Sequence, residues 1–187
     1  MVPGTARKSP ARPAGQCLTT PSAGGRDPIA ARRSDGARQT IQEALSQGAL
    51  SYRDDQVVRE PFGSGATVLT FGGAQRQMLP GPTGDLETAR LASGAANVVA
   101  YIPNPTAHSG GTDSYTWAEA VGPDGQTVTA ELRAGEGVRA TAAIAAETAR
   151  RVRGGAKPGA WTPGQLFGAA LVTDATGAQV TVNGQPE

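Results

Sequence analysis

The stretch that decides the fold is residues 81–102, which read GPTGDLETARLASGAANVVAYI. Proline and glycine crowd its first positions, which predicts a loop. Asp85 can cap a helix that follows the loop and runs to about Leu91. The run NVVAYI at 97–102 is apolar and rich in β-branched residues, which is typical of a buried strand. A loop, a helix and a strand in this order predict a helix packed on a sheet.

Paired strands are predicted on both sides of this stretch. In each pair, apolar and β-branched residues flank a short turn of Gly, Asp or Pro, which is the pattern of a β-hairpin. A further short strand is predicted near the carboxyl end. The hairpins cover 49–60, 66–79 and 117–133, their turns lie at Asp54–Asp55, Gly72–Gly73 and Gly122–Gly125, and the last strand covers 178–182.

Three more helices are predicted. The clearest covers 138–153, where apolar residues recur at helical spacing and are expected to form the buried face. The other two cover 34–47 and 163–171. The fold class is therefore α+β, with three to four helices on a mixed, largely antiparallel sheet. The expected buried stripe of the main helix is Val138, Ala142, Ala145, Ala149 and Val152.

The amino-terminal stretch differs from the rest of the chain. Residues 1–38 contain seven cations and two anions, although the whole chain has a net charge of only +1. Large apolar side chains are scarce there, so we expect residues 1–33 to form a disordered basic tail and residues 34–187 to form the folded domain. No aromatic residue interleaves the cations for base stacking, which argues against nucleic-acid binding.

Composition excludes several classes of protein. No stretch approaches the ~18 apolar residues of a membrane helix, and the basic start lacks the apolar region of a secretory signal. Cys17 and His108 are the only cysteine and histidine, which leaves no material for a zinc cluster or a Cys/His nucleophile. We therefore expect a cytoplasmic protein without a membrane partner. His108 lies beside Ser109, and adjacent residues usually point apart, which disfavours a catalytic Ser/His pair.

The nearest approach to a dinucleotide fingerprint is Gly63–Ser64–Gly65. Such a fingerprint needs a strand before it and a helix after it, because the pyrophosphate binds at the helix amino terminus. A strand is predicted after these glycines, so a hairpin turn is favoured over a cofactor loop. Asp85 retains two interpretations, as a helix cap or as a carboxylate that contacts a substrate.

Three segments taken together resemble the saccharopine dehydrogenase-like oxidoreductases. The resemblance covers about 34–175, and the order and spacing of the segments carry it more than any single motif. The first segment includes Ser34–Thr40, Leu45, Gly48 and Arg53–Asp55, the second includes Gly81–Ala89, Ser93–Gly94, Asn97 and Tyr101, and the third includes Thr141–Ala142, Ile144, Glu147, Ala149 and Gly159–Gly168.

The resemblance implies the part of such an enzyme that follows its nucleotide-binding domain, a substrate and dimerisation domain built on a mixed sheet. It places Asp85, Thr88 and Asn97 nearest a substrate cleft, where they would orient the substrate by hydrogen bonds. NAD(P) is the family's cofactor, but we expect this chain alone to bind none. The implied partner is a second copy or a separate nucleotide-binding chain. The alternative is a non-catalytic domain that serves self-association.

Overall fold

The computed structural model describes residues 14–19, 39, 42–43, 46–104 and 113–186. These residues form an α+β fold, as predicted, with ten strands in one sheet and four helices. Among the described strands, the first and sixth pair in parallel and all other pairings are antiparallel. The strands are β1 (Ala14–Thr19), β2 (Ala49–Arg53), β3 (Gln56–Glu60), β4 (Thr67–Phe71), β5 (Ala74–Pro80), β6 (Val98–Pro103), β7 (Asp113–Val121), β8 (Thr127–Glu136), β9 (Gln179–Val182) and β10 (Gln185–Pro186), and the helices are α1 (Asp85–Ser93), α2 (Gly137–Arg153), α3 (Pro163–Phe167) and α4 (Ala170–Thr176).

The sheet has the order β10-β9-β8-β7-β1-β6-β2-β3. One edge of β6 carries two hairpins side by side. Its first residues pair with β2, through Val98 with Tyr52, and its last residues pair with β5, through Ile102 with Leu79. The strand NVVAYI predicted from sequence thus organises the sheet, because three neighbours pair with it.

The predicted hairpins are confirmed, and their turns explain them. Asp54 and Asp55 join β2 to β3 with φ of 50° and 61°, and Gly72 and Gly73 join β4 to β5 with φ of 59° and 69°. Positive φ at both central residues is the geometry of the two-residue turn that matches strand twist. The third hairpin, β7–β8, turns at Gly122–Gly125.

The tail predicted over 1–33 needs a correction for six residues. Residues 14–19 form β1, which lies inside the sheet, parallel to β6 and antiparallel to β7. Two neighbouring strands offer unpaired backbone groups there, and that long-range pairing is invisible to an argument from composition. The rest of the predicted tail lies outside the described residues.

The main helix is confirmed, but the prediction of its buried face is wrong. Val138 is 66% exposed and Val152 is 47% exposed. The predicted stripe faces away from the molecule, and the face with Ala140 and Ile144 is the covered one. β8 ends at Glu136 and α2 begins at the next residue, so the direction of the strand sets which face of the helix meets the sheet.

The other helices need smaller corrections. The helix predicted over 163–171 is two helices, because Gly168 takes a φ of 69° between α3 and α4. Asp85 is the first residue of α1 and not its cap, a position that Gly84 occupies. Of the helix predicted over 34–47, Gln39, Gln42, Glu43 and Ser46 are helical and Gln47 lies in a turn, and the other positions lie outside the described residues.

Two apolar clusters lie on opposite faces of the sheet. Leu86 of α1 packs on Val98 and Ala100 of β6. On the other face, Phe71 and Met78 of the β4–β5 hairpin are buried. Tyr101 directly follows Ala100 along β6, and successive side chains of a strand lie on opposite faces of the sheet. Tyr101 accordingly packs on Phe71 and Met78.

Candidate functional site

The loop before α1 is fixed to β6, which positions Asp85. The Gly81 N–H donates to the Ala100 carbonyl at 2.9 Å, and the Leu86 N–H donates to the Thr83 carbonyl at 3.1 Å. Asp85 is half-buried at the start of the helix. Burial raises the pKa of its carboxyl. This carboxylate can therefore accept or share a proton more readily than an exposed one.

Thr88 shares the first turns of α1 with Asp85. Thr88 lies three positions after Asp85, which places the two residues on the same side of the helix. Thr88 is exposed, and its hydroxyl donates to the Gly84 carbonyl at 3.1 Å. The hydroxyl oxygen remains able to accept a hydrogen bond from a ligand.

Asn97 has a different position and role. It follows the far end of α1, and its side-chain carbonyl accepts from the Asp54 N–H at 3.1 Å. The neighbouring Asp55 N–H donates to the Ala96 carbonyl at 2.9 Å. Asn97 therefore holds the β2–β3 turn. The structure brings Asp85 and Thr88 together and separates Asn97 from them by the length of the helix.

A side-chain network links α1 to β2. The Tyr52 hydroxyl donates to Glu87 Oε2 at 2.7 Å, and Arg90 donates to both Glu87 oxygens at 3.0 and 2.7 Å. The Arg90 guanidinium also lies over the Tyr52 ring, 5.1 Å from its centroid. The hydrogen bonds from Arg90 and Tyr52 lower the pKa of Glu87 to about 2. The network fastens the helix that carries Asp85.

Sequence reasoning missed Arg76. This residue lies on β5 opposite Leu69 of β4, so its side chain shares the apolar face of that hairpin with Phe71 and Met78. Its guanidinium lies over two rings, 5.0 Å from the centroid of Phe71 and 5.1 Å from that of Tyr115. A signal was available, because Arg76 alternates with Ala74 and Met78 at strand spacing and so occupies an inward position.

The tip of the same hairpin is fixed to β7 and β8. The Gly72 N–H donates to Glu131 Oε2 at 2.9 Å. A Cβ at Gly72 would lie 2.7 Å from Tyr115 Cε1, so the glycine permits this close approach. We use the name aromatic face for the apolar cluster in which Phe71 and Met78 are buried and Leu69, Tyr101, Tyr115 and Trp117 are partly buried. Arg76 is its cation.

Gly63–Ser64–Gly65 does not fit a dinucleotide. These residues connect β3 to β4, and the Ser64 N–H donates to the Pro61 carbonyl at 3.0 Å in a tight turn. The helix amino terminus that a pyrophosphate requires does not follow them. The hairpin-turn interpretation is wrong as well, because β3 pairs with β2 and β4 pairs with β5, so these residues connect two hairpins.

An open hollow of about 430 Å³ lies elsewhere, beside the start of β2 and the end of β3. Arg59 in its wall donates to the Gln47 carbonyl. The lining of this hollow contains none of the residues predicted for a substrate cleft, which are Asp85, Thr88 and Asn97. Its lining is Ser46, Gln47, Gly48, Arg59, Glu60, Pro61 and Phe62.

Two kinds of feature, a metal-binding cluster and a membrane-spanning helix, are absent from the described part of the chain. Within it, no group of three or more His, Cys, Asp or Glu residues is placed to hold a metal ion. No helix in that part is long and apolar enough to cross a membrane. His108 and Ser109 lie outside the described residues.

Compared with known proteins, the chain matches no family model and no curated protein.

Proposed function

We propose that this chain supplies the substrate side of a saccharopine dehydrogenase-like oxidoreductase. In this proposal, NAD(P) is bound by a nucleotide-binding domain on a separate chain, and a cytoplasmic location suits both partners. The support from sequence is the resemblance over 34–175. The support from structure is that two of the three resembling segments contact each other.

Two of the three resembling segments contact each other through their own motif residues. Asp54 of the first segment donates its N–H to Asn97 of the second. Tyr52, beside the motif of the first segment, bonds to Glu87 of the second. These contacts join residues that are 43 and 35 positions apart in the chain. The motif residues thus build one structural unit, and this observation carries the proposal.

Within that unit, Asp85 is the residue we assign to substrate orientation. It is half-buried, its pKa is raised by burial, and it stands at the start of a helix anchored by Glu87 and Arg90. Thr88 offers a second hydrogen-bonding group on the same side. Asn97 acts through the fold by fixing the β2–β3 turn, which makes it a positioning residue. NAD(P) supplies the hydride when the partner domain binds it.

The test is reconstitution with a candidate partner. The full chain is mixed with each protein encoded beside it that has a glycine-rich βαβ unit, and NADPH oxidation is measured with carbonyl and imine substrates. The expected result is turnover that requires both chains and falls by about tenfold or more for Asp85→Asn. Glu119→Gln, a carboxylate change on β7, is the matched control and should leave turnover unchanged. Equal turnover in both variants would contradict the role of Asp85, and no turnover in any mixture would contradict the proposal.

A second candidate is self-association without catalysis. It is favoured by the exposed stripe of α2, where the intervals between Val138, Ala142, Ala145, Ala149 and Val152 alternate between four and three residues. That alternation is the spacing of a helix–helix seam. Ala145→Glu should then convert a dimer to a monomer in light scattering, while Ala170→Glu on α4 should not. A wild-type chain that is monomeric at every concentration would contradict this candidate.

A further inference from the structure

We propose that Arg76 binds the carboxylate of a small-molecule ligand whose body lies on the aromatic face. The inference goes beyond the proposed function, because it concerns binding by this chain alone. It rests on the position of Arg76, on the absence of an acidic partner for it among the described residues and on the contacts of its guanidinium.

Arg76 differs from the other half-buried arginines. Among the described residues these are Arg76, Arg90 and Arg151. Arg90 binds Glu87 at 2.7 Å, and Arg151 binds Glu147 at 2.8 Å and Asp174 at 2.6 Å. Arg76 has no carboxylate within 4.0 Å in the described part of the chain, and its hydrogen bond there is from Nε to the Phe71 carbonyl at 3.5 Å. A partly buried charge is costly without an anion.

The guanidinium is held in place before any ligand arrives. Its central carbon lies over the rings of Phe71 and Tyr115, and Nε donates to the Phe71 carbonyl. Within the described residues, no carboxylate engages the terminal nitrogens. A guanidinium fork matches the two oxygens of a carboxylate, and immobilisation by stacking reduces the entropy lost on binding.

The acidic groups nearby are already engaged. Glu131 accepts the Gly72 N–H at 2.9 Å, and Asp113 accepts from Arg133 Nε at 2.6 Å. Arg133 lies opposite Tyr115 across β7 and β8, and Asp113 balances its charge. Among these groups Arg76 is the cation that no carboxylate contacts, so the carboxylate of a ligand would balance it. The apolar rings of Tyr115 and Trp117 favour a ligand whose body is flat or apolar.

The experiment uses the full chain with Trp161→Phe, so that Trp117 is the only tryptophan. Its fluorescence is followed during titration with benzoate, with the neutral isostere benzamide, and with inorganic phosphate. We expect a saturable response to benzoate alone, and Arg76→Lys should weaken benzoate binding about tenfold or more because the fork is lost. Arg76→Gln should abolish it. Arg53→Lys, a change at an exposed arginine, is the matched control and should leave benzoate binding unchanged.

The outcomes separate this proposal from its alternatives. Circular dichroism establishes that each variant is folded, and Arg76→Lys retains the charge over the two rings, so it tests binding even if Arg76→Gln does not fold. The absence of a saturable benzoate response, an equal response to benzamide or phosphate, or an unchanged affinity in Arg76→Lys would each overturn it. NADPH plays no part in this measurement, so its result is independent of the reconstitution test.

Discussion

The side-chain carbonyl of Asn97 accepts a hydrogen bond from the backbone N–H of Asp54, 43 residues earlier, at 3.1 Å. This bond crosses from the start of β6 to the turn between β2 and β3. Asp54 and Asp55 both have positive φ, which costs free energy for residues other than glycine. Asn97 and the Ala96 carbonyl stabilise that turn by accepting both of its N–H groups.

Loss of this bond should lower stability. We expect Asn97→Ala to reduce the free energy of unfolding by about 1 kcal/mol, because one hydrogen bond to the turn is removed. Urea denaturation followed by circular dichroism measures the change. Asn104→Ala removes a side-chain bond to Gln77 on another strand, and it serves as the comparison. If the double variant Asn97→Ala/Asp54→Gly lost as much stability relative to Asp54→Gly as Asn97→Ala loses relative to wild type, the link between turn strain and Asn97 would be absent.

Two adjacent glycines test the contact between the β4–β5 hairpin and β7. Gly72 and Gly73 both have positive φ, so alanine is strained at either position by roughly 1–2 kcal/mol. A Cβ at Gly72 would also overlap Tyr115, whereas a Cβ at Gly73 meets open space. We therefore expect Gly72→Ala to be the more destabilising by about 1–3 kcal/mol. Equal losses in thermal unfolding would show that the hairpin does not lie on Tyr115 in solution.

The orientation of α2 and its neighbour α4 can be tested with two apolar truncations. Leu171 of α4 is 2% exposed, and Val138 of α2 is 66% exposed. Leu171→Ala should cost about 2–5 kcal/mol because it leaves a cavity in the core. Val138→Ala should cost about 0.5 kcal/mol or less in the monomer. A large loss of unfolding free energy for Val138→Ala, in a chain that stays monomeric, would indicate that the helix face predicted from the sequence is the buried one.

Stability should depend on pH through Glu147. Hydrogen bonds from Arg150 and Arg151 lower the pKa of its carboxyl from the usual 4.5 to about 2. Because the folded pKa is the lower one, the carboxylate stabilises the fold above pH 4.5, and that contribution is lost as the pH falls towards 2. Chemical denaturation at a series of pH values should show a shallower acid loss for Glu147→Gln than for wild type. Parallel curves would contradict the pairing.

How far the sequence predicts this structure depends on the range of the interactions. Turn chemistry is local, so the hairpins at Asp54–Asp55 and Gly72–Gly73 follow from a few residues. The face of α2 is not local. Apolar spacing identified the stripe through Val138, but the direct connection from β8 places the opposite side of the helix against the sheet. The pairing of β1 with β6 and β7 likewise depends on strands far away in the chain.

The same contrast between local and long-range interactions applies to the candidate site. Asp85 and Thr88 are neighbours because helical spacing brings them together, whereas the contact of Asn97 with Asp54 requires the fold. Arg76 was missed because a cation in a hairpin suggests solvent exposure. Its register opposite Leu69, and the arrival of Tyr115 from β7, become visible only once the strands are paired.

The most direct test of the central claim is a fluorescence titration of NADPH with the purified chain alone. The account predicts no saturable enhancement, because the glycines at 63–65 connect two strands and form no phosphate-binding turn. One NADPH held tightly by each isolated monomer would contradict it.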